Sequence, residues 1–310
     1  MSNKLPLIID TDPGIDDAVA LVQAFFAPNL DIKLICSTAG NLGIETTTRN
    51  AIHLCELYDR DIPVAKGLPA PLYRKLETAT NPHGSVHGKM GFGAYVYDGI
   101  KHDPINLPAY EAMHYALQLY KGTTIIVLGP LTNVAKLLLE YPEDAKLIKT
   151  IVFMGGTKEN VLLEDNPYPE FNISRDPEAV NIVLKSNVDI VIIPMDFGHN
   201  AFIPQAEIKK LKSINKTGRL FYEMYQEYHD GHVKDEDAAT HDSCAIAYVI
   251  EPTLFKLEPV TCEFIYKNDK GILVSNLAEK SHIKLAVDMD YVGFKNLYYG
   301  LLGISKMADE

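Results

Sequence analysis

The sequence predicts a single α/β domain, 1–310: an open, mainly parallel, Rossmann-like sheet flanked by helices, with a small β extension near its end. Three observations predict it. Short apolar runs with β-branched residues alternate with helical patterns along most of the chain, the signature of strand–helix–strand units. Several of these runs are apolar throughout, as strands covered on both faces are. No internal repeat, low-complexity linker or compositional break divides the 310 residues.

The elements follow in order. Leu5–Ile9 reads as a buried strand, and Ala18–Phe26 as a helix buried on most sides. Pro13 suits a first helical turn, which places Asp12 as the N-cap. Asp31–Thr38 is a strand that begins with period two and ends buried, and Ala39-Gly40-Asn41 is a turn. A helix is expected over 44–58 and a short strand at Pro63–Ala65. Residues 67–108 read as irregular, and a loop of that length in a compact domain is usually a lid or a binding loop. Helices at 109–120 and 134–139 flank a strand at 123–128, and a strand at 150–154 closes on Gly155-Gly156. A second irregular stretch, 157–172, precedes a helix at 176–185 and a strand at 188–193. Residues 204–229 are mostly helical, 230–240 a polar loop and 244–250 a buried helix. Strand patterns at 258–266, 271–274 and 284–287 form the β extension, and a helix near 291–304 ends the chain.

Composition narrows the function. A net charge of −12, with no basic stripe, argues against a nucleic-acid partner. No apolar run approaches the ~20 residues that span a bilayer, and residues 1–9 carry no signal-peptide core, so no membrane partner is expected. Cys36, Cys55, Cys244 and Cys262 have no metal-site spacing, and they read as reduced core thiols of a cytoplasmic protein.

The chemistry concentrates in Asp10-Thr11-Asp12-Pro13-Gly14-Ile15-Asp16-Asp17-Ala18, where four carboxylates fall within eight residues between a buried strand and a helix. In open α/β sheets that edge binds ligands. A helix dipole offsets about 0.3–1 kcal/mol per acidic group in its first turn. Carboxylates held within ~5 Å repel by more than that at an effective dielectric near 20. A bound cation resolves the conflict, and an all-oxygen site without Cys or His points to Ca²⁺ or Mg²⁺ rather than Zn²⁺. The plainer reading is an exposed acidic turn with ordinary capping. His241-Asp242, just before a buried helix, is a second acidic signal: Asp242 either reaches the same cation or only caps its helix.

Taken together these residues resemble a known family. The acidic segment resembles the N-terminal signature of nucleoside hydrolases that prefer inosine, uridine and related nucleosides. The match continues in order through Ala39-Gly40-Asn41, Val86-His87-Gly88, Gly129-Pro130-Leu131-Thr132-Asn133, Met154-Gly155-Gly156, Glu170-Phe171-Asn172, Asp176-Pro177-Glu178-Ala179 and His241-Asp242-Ser243-Cys244-Ala245. The resemblance implies hydrolysis of the N-glycosidic bond of a ribonucleoside to free base and ribose, in nucleoside salvage, by a homodimer or homotetramer. It implies one Ca²⁺ held by Asp12, Asp17, Asp242 and the Leu128 carbonyl, with Asp12 as the base that activates a metal-bound water. It assigns Asp16, Asn41, Glu170 and Asn172 to the ribose hydroxyls, His241 to departure of the base and His87 to the base pocket. Read from the residues alone, His87 either contacts the ligand or is only a loop residue, and Met154 either contacts the substrate or only packs at its strand end. A further ribose-side Asn falls at Asn166, or at Asn160 given the different loop length. Ser243 stands where many members have Pro, which alters the loop more than the chemistry. Tyr225 and Tyr228 either cover the base or pack within their own helix.

Physical chemistry agrees with this resemblance. Ribosyl transfer passes through an oxocarbenium-like state that nearby carboxylates stabilise, and a histidine beside the base can protonate its leaving nitrogen. Two rivals remain. A haloacid-dehalogenase-type phosphatase also places Asp-x-Asp after its first strand, but Pro13–Asp17 does not fit its loop. A nucleoside-binding protein without turnover would have no need of both Asp12 and His241.

Overall fold

The computed structural model describes residues 4–73, 86–158, 170–228, 237–267 and 270–303. One ten-stranded sheet runs through them. Its strands are β1 (Leu5–Thr11), β2 (Leu30–Ser37), β3 (Val64–Lys66), β4 (Ile105–Pro108), β5 (Thr123–Val127), β6 (Ile148–Met154), β7 (Ile190–Ile193), β8 (Phe255–Lys267), β9 (Lys270–Leu277) and β10 (Ile283–Met289). Their spatial order is β4-β3-β2-β1-β5-β6-β7-β10-β8-β9. The pairs from β4 through to β10 are parallel, and β8 and β9 continue the sheet as an antiparallel hairpin. The strand order reverses direction between β1 and β5, and the crevice at such a switch point is where doubly wound sheets bind ligands.

Side chains on successive strand residues point to opposite faces, so each strand feeds two cores. Leu7, Ile9, Ile126 and Val152 pack on one face with α1 (Ile15–Phe26), α2 (Ile44–Leu57), α9 (Lys216–Tyr225), α10 (His241–Ile250) and α11 (Tyr291–Leu301). Ile8, Ile125, Val127 and Ile151 pack on the other with α3 (Ala109–Leu119), α4 (Thr132–Glu140) and α6 (Pro177–Leu184). Five shorter or peripheral features complete the chain order of the described residues: α5 (Phe171–Arg175), α7 (Asp196–Asn200), α8 (Gln205–Leu211) and 3-10 turns at Pro142–Lys146 and Pro252–Leu254. Fully burying each aliphatic strand residue contributes about 1.5–3 kcal/mol, which is why the all-apolar strands occupy the centre of the sheet.

Three local expectations are corrected. Asp12 is not the N-cap of α1: β1 runs on to Thr11, Gly14 is the N-cap, and Asp17 at N3 accepts the Gly14 N–H at 3.1 Å. The Asp12 side chain is engaged elsewhere, by the backbone N–H of Asn41. The stretch 67–108 is not wholly irregular, because Ile105–Pro108 adds edge strand β4. Four residues that include Asn106 and Pro108 give almost no strand signal. Strand 284–287 belongs to the main sheet, since β10 pairs parallel with β7, so only β8 and β9 form the extension.

Candidate active site

The loops after β1, β2, β5, β6 and β7 meet α10 around a cleft with about 580 Å³ of open space. Its lining includes Asp16, Asn41, Val86, His87, Leu128, Met154, Glu170, Phe171, Asn172, Met195, Tyr228, His241 and Asp242. Asp12 and Asp17 lie beneath this lining, at 1% and 0% exposure.

The floor is built from strand ends. Asp10 turns away from the cleft: its Oδ1 accepts from Asn133 Nδ2 at 2.8 Å, and Asn133 also bonds the Ser37 carbonyl and the Leu68 N–H. Burial raises the Asp10 carboxyl to about 8, with the Asn133 bond opposing. Asp10 therefore knits the edge together and is not among the residues that line the cleft. Asp17 accepts from the Thr11 hydroxyl, from the backbone N–H of Asp12 and Gly14, and from Asn41 Nδ2. Asp12 is clasped between Gly40 and Gly129. A Cβ on either would lie 2.8 Å from its Cγ, so both positions require glycine.

Four carboxyls share this space. Asp16, Asp17 and Asp242 each offer an oxygen, and these oxygens lie within 4.8 Å of one another. Burial raises all three and Asp12 above the ordinary carboxylate range, and mutual repulsion raises Asp12, Asp16 and Asp242 further. Asp16 reaches about 7, with His241 pulling it down. Asp17 and Asp242 face each other closely enough to share a hydrogen bond. Oδ1 of Asp12 and Oδ1 of Asp16 are buried with no hydrogen-bond partner. Clustered buried acids with orphaned oxygens and an all-oxygen donor set fit a hard divalent cation, which would neutralise the repulsion and satisfy those atoms. Of the ligands expected from the sequence, Asp17 and Asp242 stand in the closest group, Asp16 joins them, and Asp12 repels them from below. The Leu128 carbonyl accepts from Asn172 Nδ2 at 2.7 Å, and a second lone pair is left for another partner.

The residues expected on the ribose side are equally fixed. Glu170 caps α5, and its carboxylate accepts from the N–H groups of Gly156, Asn172 and Ile173. Burial still leaves its pKa raised. Asn172 Nδ2 bridges the carbonyls of Leu128 and Met154, tying together the ends of β5 and β6. Asn160 and Asn166 lie outside the described residues.

Two histidines line the same cleft, and their Nδ1 atoms are used in opposite ways. His87 Nδ1 accepts the Ile15 N–H at 3.1 Å, so its ring proton sits on Nε2. His241 Nδ1 lies 3.0 Å from the Met195 carbonyl, which can only accept, so this nitrogen donates. Tyr228 lines the cleft with its ring 5.8 Å from that of His87. Tyr225 does not: it is buried in the core, and its hydroxyl meets that of Tyr298 at 2.8 Å.

Sequence reasoning gave no role to the lining residues Val86, Phe171 and Met195. Met195 follows the end of β7, so the rule that strand ends converge on one edge was the available signal. Val86 and Phe171 each sit inside a quoted motif without a role.

The chain from residue 7 to 296 matches the model of the inosine-uridine preferring nucleoside hydrolase family. Over 312 aligned residues it is 35% identical to the non-specific ribonucleoside hydrolase RihC of Shigella sonnei, covering 97% of this chain and 99% of that one. Relatives of the same name from Escherichia coli are equally similar. Among solved structures, a plant nucleoside hydrolase superposes with a TM-score of 0.87 at 28% identity, covering 96% of this chain and 98% of the other. The purine-preferring ribonucleoside hydrolase of Gardnerella vaginalis matches with a TM-score of 0.87 at 25% identity, covering 98% and 99%. With a fold, a cleft at the switch point and a match over nearly its whole length in agreement, the chain belongs to the inosine-uridine preferring nucleoside hydrolase family and is an enzyme that hydrolyses ribonucleosides to base and ribose.

Proposed function

We propose that Asp12 is the general base and His241 the acid of this hydrolysis, in a site that works with Ca²⁺. The observation that carries the reading is the pairing, across one cleft, of a buried carboxylate floor with a histidine wall. The anomeric carbon sits over the floor and the base against the wall. Asp12 takes a proton from the attacking water as the water oxygen bonds to the anomeric carbon and the C–N bond breaks. The leaving nitrogen takes a proton from Nε2 of protonated His241, whose Nδ1–H stays on the Met195 carbonyl. The developing positive charge on the sugar is stabilised by the surrounding carboxylates.

Asp16, Asn41, Glu170 and Asn172 hold the ribose hydroxyls, and Asn166, or Asn160 in its place, is assigned to the same group. A 2′-deoxy substrate would leave these buried polar groups unpaired and be rejected. His87, neutral with its proton on Nε2, donates to an acceptor on the base, and Tyr228 and Met154 pack beside the substrate. Asp12, Asp17, Asp242 and the Leu128 carbonyl would hold the ion. Bound there, Ca²⁺ would polarise the attacking water and anchor ribose hydroxyls.

The cellular role we infer is nucleoside salvage by a cytoplasmic homodimer or homotetramer. Buried, unpaired Cys36, Cys55 and Cys244 support a reducing compartment, and exposed Tyr115 and Leu119 on α3 support self-association. Among the described residues no helix is long and apolar enough to cross a membrane.

The test is ribose release from inosine, uridine, cytidine, adenosine and 2′-deoxyuridine, with and without chelator. Release from ribonucleosides, little from the deoxy compound, and loss on chelation are expected. Equal release from uridine and 2′-deoxyuridine would sink the hydroxyl assignment.

A further inference from the structure

We propose that α7 is a positioning element for His241, with Gly198 and His199 as positioning residues. The proposal rests on the acid role given to His241 above. Four contacts carry it. The Met195 carbonyl, at the N-cap of α7, takes the His241 Nδ1–H at 3.0 Å. The Gly198 carbonyl takes the Thr240 N–H at 3.2 Å. The Ala201 carbonyl, just past the end of α7, takes the Thr240 hydroxyl at 3.1 Å. The His199 ring meets the His241 ring edge-on, with centroids 4.7 Å apart and planes at 82°.

Thr240 shows where the control lies. It is the N-cap of α10, and a threonine there ordinarily turns its hydroxyl onto its own helix. Here it makes no such cap and bonds α7 instead. The direction of the first turn of α10 is thus set from outside. Gly198 sets the distance. A Cβ at that position would lie 2.6 Å from the backbone nitrogen and 2.7 Å from the Cα of His241, and nearer still to Nδ1. The ring is held by a carbonyl on one nitrogen, a bare glycine against its base and a second imidazole against its face. Neither Gly198 nor His199 lines the cleft, and the lining residue that both meet is His241. Their effect on turnover must pass through His241.

An acid held in place matters only for leaving groups that need a proton. The experiment therefore compares inosine or uridine with p-nitrophenyl ribofuranoside, whose phenolate departs unprotonated. The readout is the ratio of the two kcat values. His199→Ala and Gly198→Ala are expected to lower that ratio by about 10-fold or more, a part of what one general acid contributes. KM should change little, and His199→Phe, which keeps a ring edge, should restore most of the ratio. His241→Asn is the reference. If the ratio falls in His241→Asn but not in His199→Ala, or if His199→Ala slows both substrates equally, the positioning role is overturned and the acid role stands. If the ratio is unchanged in His241→Asn, the acid role is overturned and the positioning role with it. His199→Ala decides the matter even if Gly198→Ala does not fold.

Discussion

The floor and the rim of the cleft are held by different means. The floor combines the end of β1 with the first turns of α1 and α10, and its acids are almost wholly buried: Asp12, Asp17 and Asp242 are at most 2% exposed. Backbone ladders on both sides of β1 fix it. The rim carries His87 and Tyr228 on connecting segments and is secured by a few side-chain bonds. Asn50 is the chief one: it donates to the carbonyls of Pro13 and Met90 and accepts from the Tyr97 hydroxyl. Ile15 N–H to His87 Nδ1 is another. On the proposed function the floor holds the sugar, common to every ribonucleoside, and the rim meets the base, which varies, so a rigid floor under an adjustable rim suits an enzyme family whose members differ in base preference.

Removing a floor acid should have the largest effect. Asp12→Asn is expected to lower kcat by about 10³-fold or more, and in cation-free protein to melt at or above the temperature of the unaltered protein, since a repelled buried charge is lost. Near-normal turnover would refute the assigned base.

Removing the cation should come next. Chelation is expected to lower both activity and Tm, because a ligand bound only by the native state stabilises it by mass action. The sign of the pH dependence follows from the raised carboxyls. Asp16 and Asp10 move from 3.8 to about 7 and about 8, so their contribution in cation-free protein is complete below pH 3.8 and is lost as pH rises through 7 to 8. Ca²⁺ favours the ionised forms. The Ca²⁺-induced rise in Tm should therefore grow between pH 5 and 8, and scanning calorimetry with and without chelator reads it; a rise that shrinks with pH contradicts the site.

Loosening the rim should act mainly on binding. Asn50→Ala is expected to raise KM more than it lowers kcat, and to cost about 1–3 kcal/mol through the unpaired carbonyls of Pro13 and Met90. Equal loss in kcat would mean that rim and floor are one unit. The smallest effect should come from Tyr225→Phe, which deletes a core hydroxyl pair worth about 0.5–1.5 kcal/mol and should leave activity unchanged, whereas Tyr228→Phe should alter the ranking of bases.

The same contrast explains what the sequence made legible. The acidic segment after Leu5–Ile9 stood out because carboxylates directly after a buried strand conflict with ordinary burial, and the conflict marks a site. Apolar strands and their parallel order were readable because burial on both faces leaves a continuous pattern. Asp12 was misread as a cap because Pro13 suggests a first turn, whereas the chain needs three residues, Asp12–Gly14, to leave the sheet. Edge strand β4 was missed because four residues carry too little pattern. Tyr225 and Tyr228 could not be told apart, since which of two nearby aromatics meets the core depends on Tyr298, far along the chain. The role of α7 left no trace either: its contacts are made by main-chain carbonyls, by a missing Cβ and by a ring whose neighbour is distant in sequence.

The acids of the floor come from opposite ends of the polypeptide, Asp12 and Asp17 near its start and Asp242 on α10 near its end, and α1 and α10 pack together to unite them. A chain emerging from the ribosome therefore carries half a site for most of its synthesis, with no means of gathering the oxygens that a hard cation needs. The centre comes into being only when this long-range closure is made, among the slowest kinds of contact to form. Ion capture should then be a late event in biogenesis, and its onset a clock for the completed fold.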